Sequence, residues 1–488
     1  MMMSYDSYRE SLIESYYEHQ LVSLVNSFDP AKPTVILLPG GMGSQLERTE
    51  APYPQSPNVI TDVIWMDLGI ILSRDAVKTM IDGPAPSEKE KDIESYVVAA
   101  HGPISFGFGG QTPYDELKDF AAQEAWNYGV FGFDWRRPLA ESSRHLRQFI
   151  ISFRARVVYS YGIDPIPGLT LVCHSMGGMV CVDALRNSQF RNLGFHAILT
   201  VATPFYGTST HQERYYSGMP GILNRIYSAK RVTEIVASLP GPFSLMFLPK
   251  SVYTRDGAKL GLTQYPQVDP ADGSDADPFD AAMFSRWPSA VADHKAYLAR
   301  AKRELENVSR PIDPVIAPYF FNARSSLDLQ TAVKIEWENI DGSRFNPGSS
   351  PSPLRGRPGP GDGTVPFWSA WHAYCRPSNR FELAIAKDHG TLLEEPEVLG
   401  LIKFVVENRK LPKVKSRKRA SSKRASVKQV ATVLDEWVQT KKQRRAPPEK
   451  LFQRPIVRAI LGNLIAGTKP KMLPAEAKRP ALKKRKRK

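Results

Sequence analysis

The segment Leu169-Thr170-Leu171-Val172-Cys173-His174-Ser175-Met176-Gly177-Gly178 decides the fold. Its first four residues form a short, mostly apolar run of the kind that makes a strand buried on both faces. Met176 to Arg186 then reads as a helix. Between them a serine stands on a sharp turn. Such a turn lifts a hydroxyl above the edge of a sheet, and the positions two before and two after the serine must be small for strand and helix to approach. Gly177 meets the second requirement, and Cys173, itself small, stands at the first in place of the usual glycine. The N-terminal amides of the helix favour negative charge near the serine. An ordinary strand-to-helix turn gives a similar string. The apolar run before the serine and the helix after it favour the strained turn.

Working outward, a buried strand is expected at Pro33–Pro39, and strands at Val130–Phe133, His196–Ala202, Tyr319–Ala323 and Phe381–Ala386, with another at Ala332–Glu338. Helices are expected at Tyr114–Tyr128, Leu139–Val158 and Glu394–Glu407, and a Pro/Gly/Ser loop at Asn346–Gly363. Strands alternating with helices imply an α/β fold, a mostly parallel sheet with helices on both faces. With the serine turn, this is the α/β-hydrolase arrangement. The organisation expected is a helical extension over 1–32, a catalytic domain over 33–408 and a basic, largely disordered tail over 409–488. Cap insertions are expected at about 44–112 and 204–315, where Pro, Gly and aromatics break the alternation.

The chain has 488 residues, of which 42% are hydrophobic and 24% charged, which disfavours a disordered or fibrous protein. Its three cysteines, Cys173, Cys181 and Cys375, form no disulfide framework and point to a reducing compartment. No secretory signal is read in residues 1–20, and no stretch reaches the ~18 apolar residues of a membrane span. A cytoplasmic protein is expected. The net charge of +15 is uneven: residues 411–488 carry 25 Lys or Arg against 4 Asp or Glu, leaving 40 basic and 46 acidic residues in the first 410. A mildly acidic body therefore carries a strongly basic tail.

A serine is a weak nucleophile without a histidine to take its proton and a carboxylate to orient that histidine. In this fold they follow in the order Ser, acid, His. Of nine histidines, only His372 and His389 lie in the last core segment. His389 directly follows the expected strand Phe381–Ala386, at the edge where sites gather in such sheets. His372 lies in an aromatic stretch and reads as packing. His174 reads as a spacer. Asp362, in Gly361-Asp362-Gly363-Thr364-Val365-Pro366, sits on a loop that can reach the histidine, although an Asx turn is its other reading. Asp388 adjoins His389, and neighbours on a tight loop rarely face each other, while Asp134 comes before the serine, in the wrong order. An oxyanion needs two backbone donors, expected from Met176 and from Gly41 of the Gly40-Gly41-Met42 turn. No metal or cofactor is called for.

Several segments occur in the order found in the lecithin:cholesterol acyltransferase family. They are Leu38-Pro39-Gly40-Gly41-Met42-Gly43-Ser44-Gln45-Leu46, Val63 to Leu68, Phe133-Asp134-Trp135-Arg136-Arg137-Pro138, Ser175-Met176-Gly177-Gly178, Ala202 to Thr208, Ser238-Leu239-Pro240, the Gly361 to Pro366 string and Asp388-His389-Gly390. Over about residues 33–405 the chain resembles that family, which includes lysosomal phospholipase. The resemblance implies an acyl chain passed from a glycerolipid to Ser175, then to water or an alcohol, with Asp362 as acid and His389 as base. Secreted members carry a cap disulfide, and no cysteine occurs here before Cys173.

The expectation is a serine-dependent lipid acyl hydrolase or O-acyltransferase. The alternatives are a carboxylesterase for smaller esters, or an inactive hydrolase-fold binding protein working through its tail. In the tail, Ile456, Val457, Ile460, Leu461, Leu464 and Ile465 recur at helical spacing among basic residues. A basic amphipathic helix can lie on an anionic membrane or another polyanion. Nucleic acid is the weaker partner, because the tail has few aromatics for base stacking.

Overall fold

The computed structural model describes residues 5–50, 60–65, 96–103, 113–209, 211–213, 236–237, 239–287, 295–325, 328–329, 331–337, 354–383, 385 and 388–407. The basic tail lies outside the described residues.

Six parallel strands form the central sheet. Along the chain they are β1 (Thr34–Leu38), β5 (Asn127–Val130), β6 (Thr170–His174), β7 (Ala197–Val201), β9 (Phe320–Ser325) and β14 (Arg380–Leu383), in the spatial order β14-β9-β7-β6-β1-β5. Every residue of β1, β6 and β7 is buried. Both faces are therefore covered, and these strands read as apolar runs without alternation. Leu38 pairs with Cys173 and Cys173 with Thr200, so the C-terminal ends of the three central strands lie side by side. This is the α/β fold expected, with the serine turn leaving the C-terminal end of β6.

The expected strand Val130–Phe133 is displaced: β5 ends at Val130, and the preceding helix α2 spans Asp115–Gln123 instead of running to Tyr128. Ala125 is the cause. It adopts a left-handed conformation, φ 53°. The Trp126 N–H bonds the Ala121 carbonyl at 2.9 Å and the Ala125 N–H bonds Ala122 at 3.1 Å. That pair of bonds is a Schellman stop. Trp126 then packs edge-on against Phe120, their ring centroids 5.7 Å apart. Glycine normally marks such a stop, so alanine hid it.

The N-terminal helix α1 (Tyr5–Asn26) buries Ile13, Tyr17, Leu21 and Leu24, spaced three or four apart. The Tyr17 ring stacks on Phe131 at 5.2 Å, and its hydroxyl donates to the Gly132 carbonyl at 3.1 Å. Leu24 lies so close to Gly129 that a Cβ there would come within 2.9 Å of its methyl. The extension thus closes one end of the core.

Within the first expected cap insertion, β2 (Ser44–Glu50), β3 (Ile60–Trp65) and β4 (Tyr96–Pro103) form an antiparallel sheet in the order β3-β2-β4. Part of the second expected insertion is described as well. Its helix Lys295–Val308 is tied into the body: Glu304 accepts the Ala140 N–H at 3.3 Å, and the Val308 carbonyl accepts from Arg186 at 3.0 Å. The strand β11 (Thr331–Trp337) lies outside the parallel sheet, between β12 (Leu354–Gly359) and β8 (Gln267–Val268). Thus the expected loop Asn346–Gly363 contains a strand. Pro358 is tolerated because β12 is an edge strand. No helix among the described residues is long and apolar enough to cross a membrane.

Replacing Ala125 by glycine relieves its left-handed strain, partly offset by greater freedom of the unfolded chain. Ala125→Gly is expected to leave stability unchanged or raise it by up to about 1 kcal/mol, whereas Ala125→Val lowers it. Urea denaturation midpoints check both, and a glycine variant clearly less stable than the parent would contradict the left-handed stop.

Candidate active site

Ser175 occupies the turn between β6 and the helix Met176–Ala184, with φ 52° and ψ −126°. For a residue with a Cβ this region costs about 1–3 kcal/mol. The Ser175 N–H donates to the Val201 carbonyl at 3.0 Å, and the Ser175 carbonyl accepts the Gly178 N–H at 3.0 Å. Gly177 is obligatory: a Cβ would lie 2.4 Å from the Pro39 carbonyl oxygen. Cys173 fits its position fully buried, beside Cys181. Burial first, then Cys181, pushes the Cys173 thiol up, so it is held protonated and inert.

The structure brings Ser175, Asp362 and His389 together. Ser175 Oγ lies 2.7 Å from His389 Nε2, and His389 Nδ1 lies 2.7 Å from Asp362 Oδ2. Asp362 and His389 are both buried. The other oxygen of Asp362, Oδ1, accepts the N–H groups of Thr364 at 3.0 Å and Val365 at 2.7 Å. One carboxylate oxygen of Asp362 thus closes an Asx turn while the other meets His389. Because the carboxylate accepts, Nδ1 carries the proton, leaving Nε2 to accept from the serine hydroxyl.

The alternative residues go elsewhere. His372 is buried against the rings of Phe205 and Phe320, its Nε2 bonded to the Val308 carbonyl at 3.0 Å. Asp388 is exposed, and its carbonyl accepts the Thr391 N–H at 3.0 Å. Asp134 forms a two-pronged pair with Arg136, both contacts 2.9 Å. That pair braces the stretch before the helix Leu139–Tyr161, where Gly241 approaches so closely that a Cβ would meet the Trp135 carbonyl at 2.1 Å.

A pocket opens over Ser175. Its lining includes Met42, Trp135, Met176, Pro204, Pro242 and Leu245, with the backbone of Gly40 and Gly41. A Cβ on Gly41 would lie 3.3 Å from the Met176 sulfur, and one on Gly40 would lie 3.0 Å from Ser175 Cβ. The Gly40-Gly41 turn is therefore adjacent to the serine turn. Among the described residues nothing accepts the N–H of Gly41 or of Met176. Two backbone donors at the rim of an apolar pocket, beside a hydroxyl bonded to imidazole and carboxylate, can stabilise an oxyanion formed on attack by that hydroxyl.

Sequence reasoning missed His174. Its Nε2 lies 3.0 Å from the His389 carbonyl oxygen and its Nδ1 3.2 Å from the Tyr114 hydroxyl. The partners lie 215 and 60 positions away, so nothing local could signal them. Among the described residues, the grouping with metal-ligand character is Glu10, Glu141 and His145. Its carboxylates are engaged by Arg144 and Arg137, as in a structural ion-pair network.

No protein-family model matches this chain, and no curated protein matches it. Among solved structures, the chain is similar to one from "The crystal structure of Tle4-Tli4 complex", at 15% identity and a TM-score of 0.46. The match covers 78% of this chain and 99% of that one.

Burial lowers His174 and His372 to about 3 each. Both are neutral in the folded protein and take up a proton on unfolding, so the unfolded chain binds more protons between pH 6.5 and 3. Stability contributed by their burial is whole above pH 6.5 and is lost as the pH falls toward 3. Each costs up to about 1.4 kcal/mol per pH unit over that window. Urea midpoints are expected to fall steadily from pH 7 to 5, and less steeply in His372→Gln. Equal slopes in parent and variant would contradict a neutral buried His372.

Proposed function

We propose that the chain is a serine hydrolase that acts on lipid acyl esters, passing the acyl group to water or to an alcohol through a covalent acyl-Ser175. The observation that carries this reading is the hydrogen-bond chain from Ser175 Oγ through His389 to Asp362, 2.7 Å at each link, beneath an apolar-lined pocket. His389 Nε2 takes the Ser175 proton as Oγ attacks the ester carbonyl carbon. The resulting oxyanion faces the N–H groups of Gly41 and Met176. Asp362 holds the imidazole in the required tautomer and stabilises the imidazolium. Collapse breaks the ester C–O bond, and His389 returns the proton to the leaving alcohol. Water or a second alcohol then attacks the acyl carbon while His389 takes its proton; the bond from that carbon to Ser175 Oγ breaks, and His389 returns the proton to Oγ.

The choice of a lipid acyl group follows from the lining. Met42, Trp135, Pro204, Pro242 and Leu245 offer an alkyl chain apolar contact near the serine, and among the described residues the lining contains no Asp, Glu, Lys or Arg. The kinship proposed, with the lecithin:cholesterol acyltransferase group, rests on the ordered motifs from Leu38 to Gly390. We also propose that residues 411–488 bring the body to an anionic membrane by their 25 basic residues.

Hydrolysis of p-nitrophenyl esters of increasing chain length, beside fatty-acid release from phosphatidylcholine vesicles, tests the activity. Turnover is expected to rise with chain length and to vanish in Ser175→Ala. Asp362→Asn is expected to keep the fold, since the amide oxygen can still accept from Thr364 and Val365, and to lose about 10³–10⁴ in kcat through the wrong tautomer. No turnover of any ester by folded protein favours the inactive binding role, and preference for the shortest esters favours a carboxylesterase. For the tail, truncation after Arg409 is expected to abolish salt-sensitive binding to anionic vesicles; unchanged binding refutes that role.

A further inference from the structure

His174 adjoins the nucleophile yet takes no part in the steps above. It is buried, and its ring lies 4.9 Å from that of His389, tilted by 33°. Its polar contacts fix its protonation. The His389 carbonyl, 3.0 Å from Nε2, can only accept, so Nε2 carries the hydrogen. In the neutral ring Nδ1 is then an acceptor, and the Tyr114 hydroxyl at 3.2 Å donates to it. The Tyr114 oxygen in turn accepts the Gly40 N–H at 2.9 Å.

We infer that His174 is a positioning residue: as a neutral imidazole it ties the main chain of the base, at the His389 carbonyl, to the oxyanion turn, through Tyr114 and Gly40. The inference rests on the reading of Ser175, Asp362 and His389 as a catalytic triad. Asp362 fixes only one atom of the His389 ring. A second anchor on the same residue's backbone is needed to set the direction of Nε2 toward the serine. The same chain of bonds reaches the turn that carries Gly41, so the base and an oxyanion donor are held in one frame. Misplacement of a reacting group by about 1 Å can cost about 10²-fold in rate.

Neutrality matters here as well. Acyl transfer makes an imidazolium at His389, and a second cation 4.9 Å away would oppose it. Burial, with a smaller contribution from His389, lowers His174 to about 3. Tyr114 is buried too, so water is poorly placed to replace the bridging hydroxyl.

The test compares His174→Leu, which removes both polar atoms, with His174→Gln, whose amide can donate from the Nε2 position. Tyr114→Phe removes the bridge. With a p-nitrophenyl ester, His174→Leu is expected to lose about 10- to 100-fold in kcat with KM nearly unchanged. His174→Gln is expected to recover most of that loss at a similar thermal midpoint. The double variant His174→Leu/Tyr114→Phe is expected to be no slower than His174→Leu alone, because both changes cut the same chain. A folded His174→Leu enzyme within twofold of the parent overturns the inference, and so does a glutamine variant as slow as the leucine variant. Nitrogen-15 NMR of the parent gives an independent answer should the leucine variant not fold: a neutral His174 protonated on Nε2 between pH 5 and 8 supports the inference, and any other state overturns it. Failure of the triad reading looks different, with a parent whose ester hydrolysis is absent or indifferent to Ser175→Ala.

Discussion

One strained residue organises this molecule. Ser175 sits in a backbone region that a side chain makes costly, and the structure holds it there by leaving no alternative. Its N–H is committed to the neighbouring strand β7, and its carbonyl to the helix that follows. That helix can start where it does only because Gly177 and Gly178 lack side chains. A Cβ on Gly178 would fall 2.0 Å from the Thr203 hydroxyl. The cost of the turn is offset by burial on all sides, with β1, β6 and β7 fully enclosed. The hydroxyl emerges at the C-terminal edge of the sheet, where the loops after β1, β13 (Gly361–Asp362) and β14 converge.

Those loops come from opposite ends of the sequence, and each is fixed by its own local device. The turn after β1 passes through Met42 in a left-handed conformation and hands the Gly40 N–H to Tyr114. The loop that follows β13 is closed by Asp362 itself, which uses one oxygen for two backbone amides and keeps the other for His389. His389 opens a short turn, His389–Glu394, whose Leu392 and Leu393 are buried. His174 joins the first and last of these. The site is thus a set of loops cross-braced by buried polar bonds, which in a low-dielectric surrounding are costly to leave unmade.

Much of this was legible in the sequence because it is local. The run Leu169 to Gly178 announces strand, turn and helix, and buried parallel strands are recognisable as short apolar runs. The order of Ser175, Asp362 and His389 along the chain selected the residues that the structure brings into contact. What stayed hidden was either non-local or chemically disguised. Ala125 ends a helix in a conformation that glycine usually marks. Pro358 and its neighbouring glycines read as loop yet form an edge strand. His174 read as a spacer because its partners, Tyr114 and the His389 carbonyl, are distant in sequence.

The central claim is that the Ser175 hydroxyl is an activated nucleophile because His389, oriented by Asp362, accepts its proton. The direct measurement is to react the folded protein with a fluorophosphonate and map the adduct by peptide mass spectrometry. The account predicts a single phosphonylated site, at Ser175, formed rapidly in the parent and at least a hundredfold more slowly in His389→Ala. Adduct formation at another residue, or a Ser175 rate indifferent to loss of His389, would contradict it.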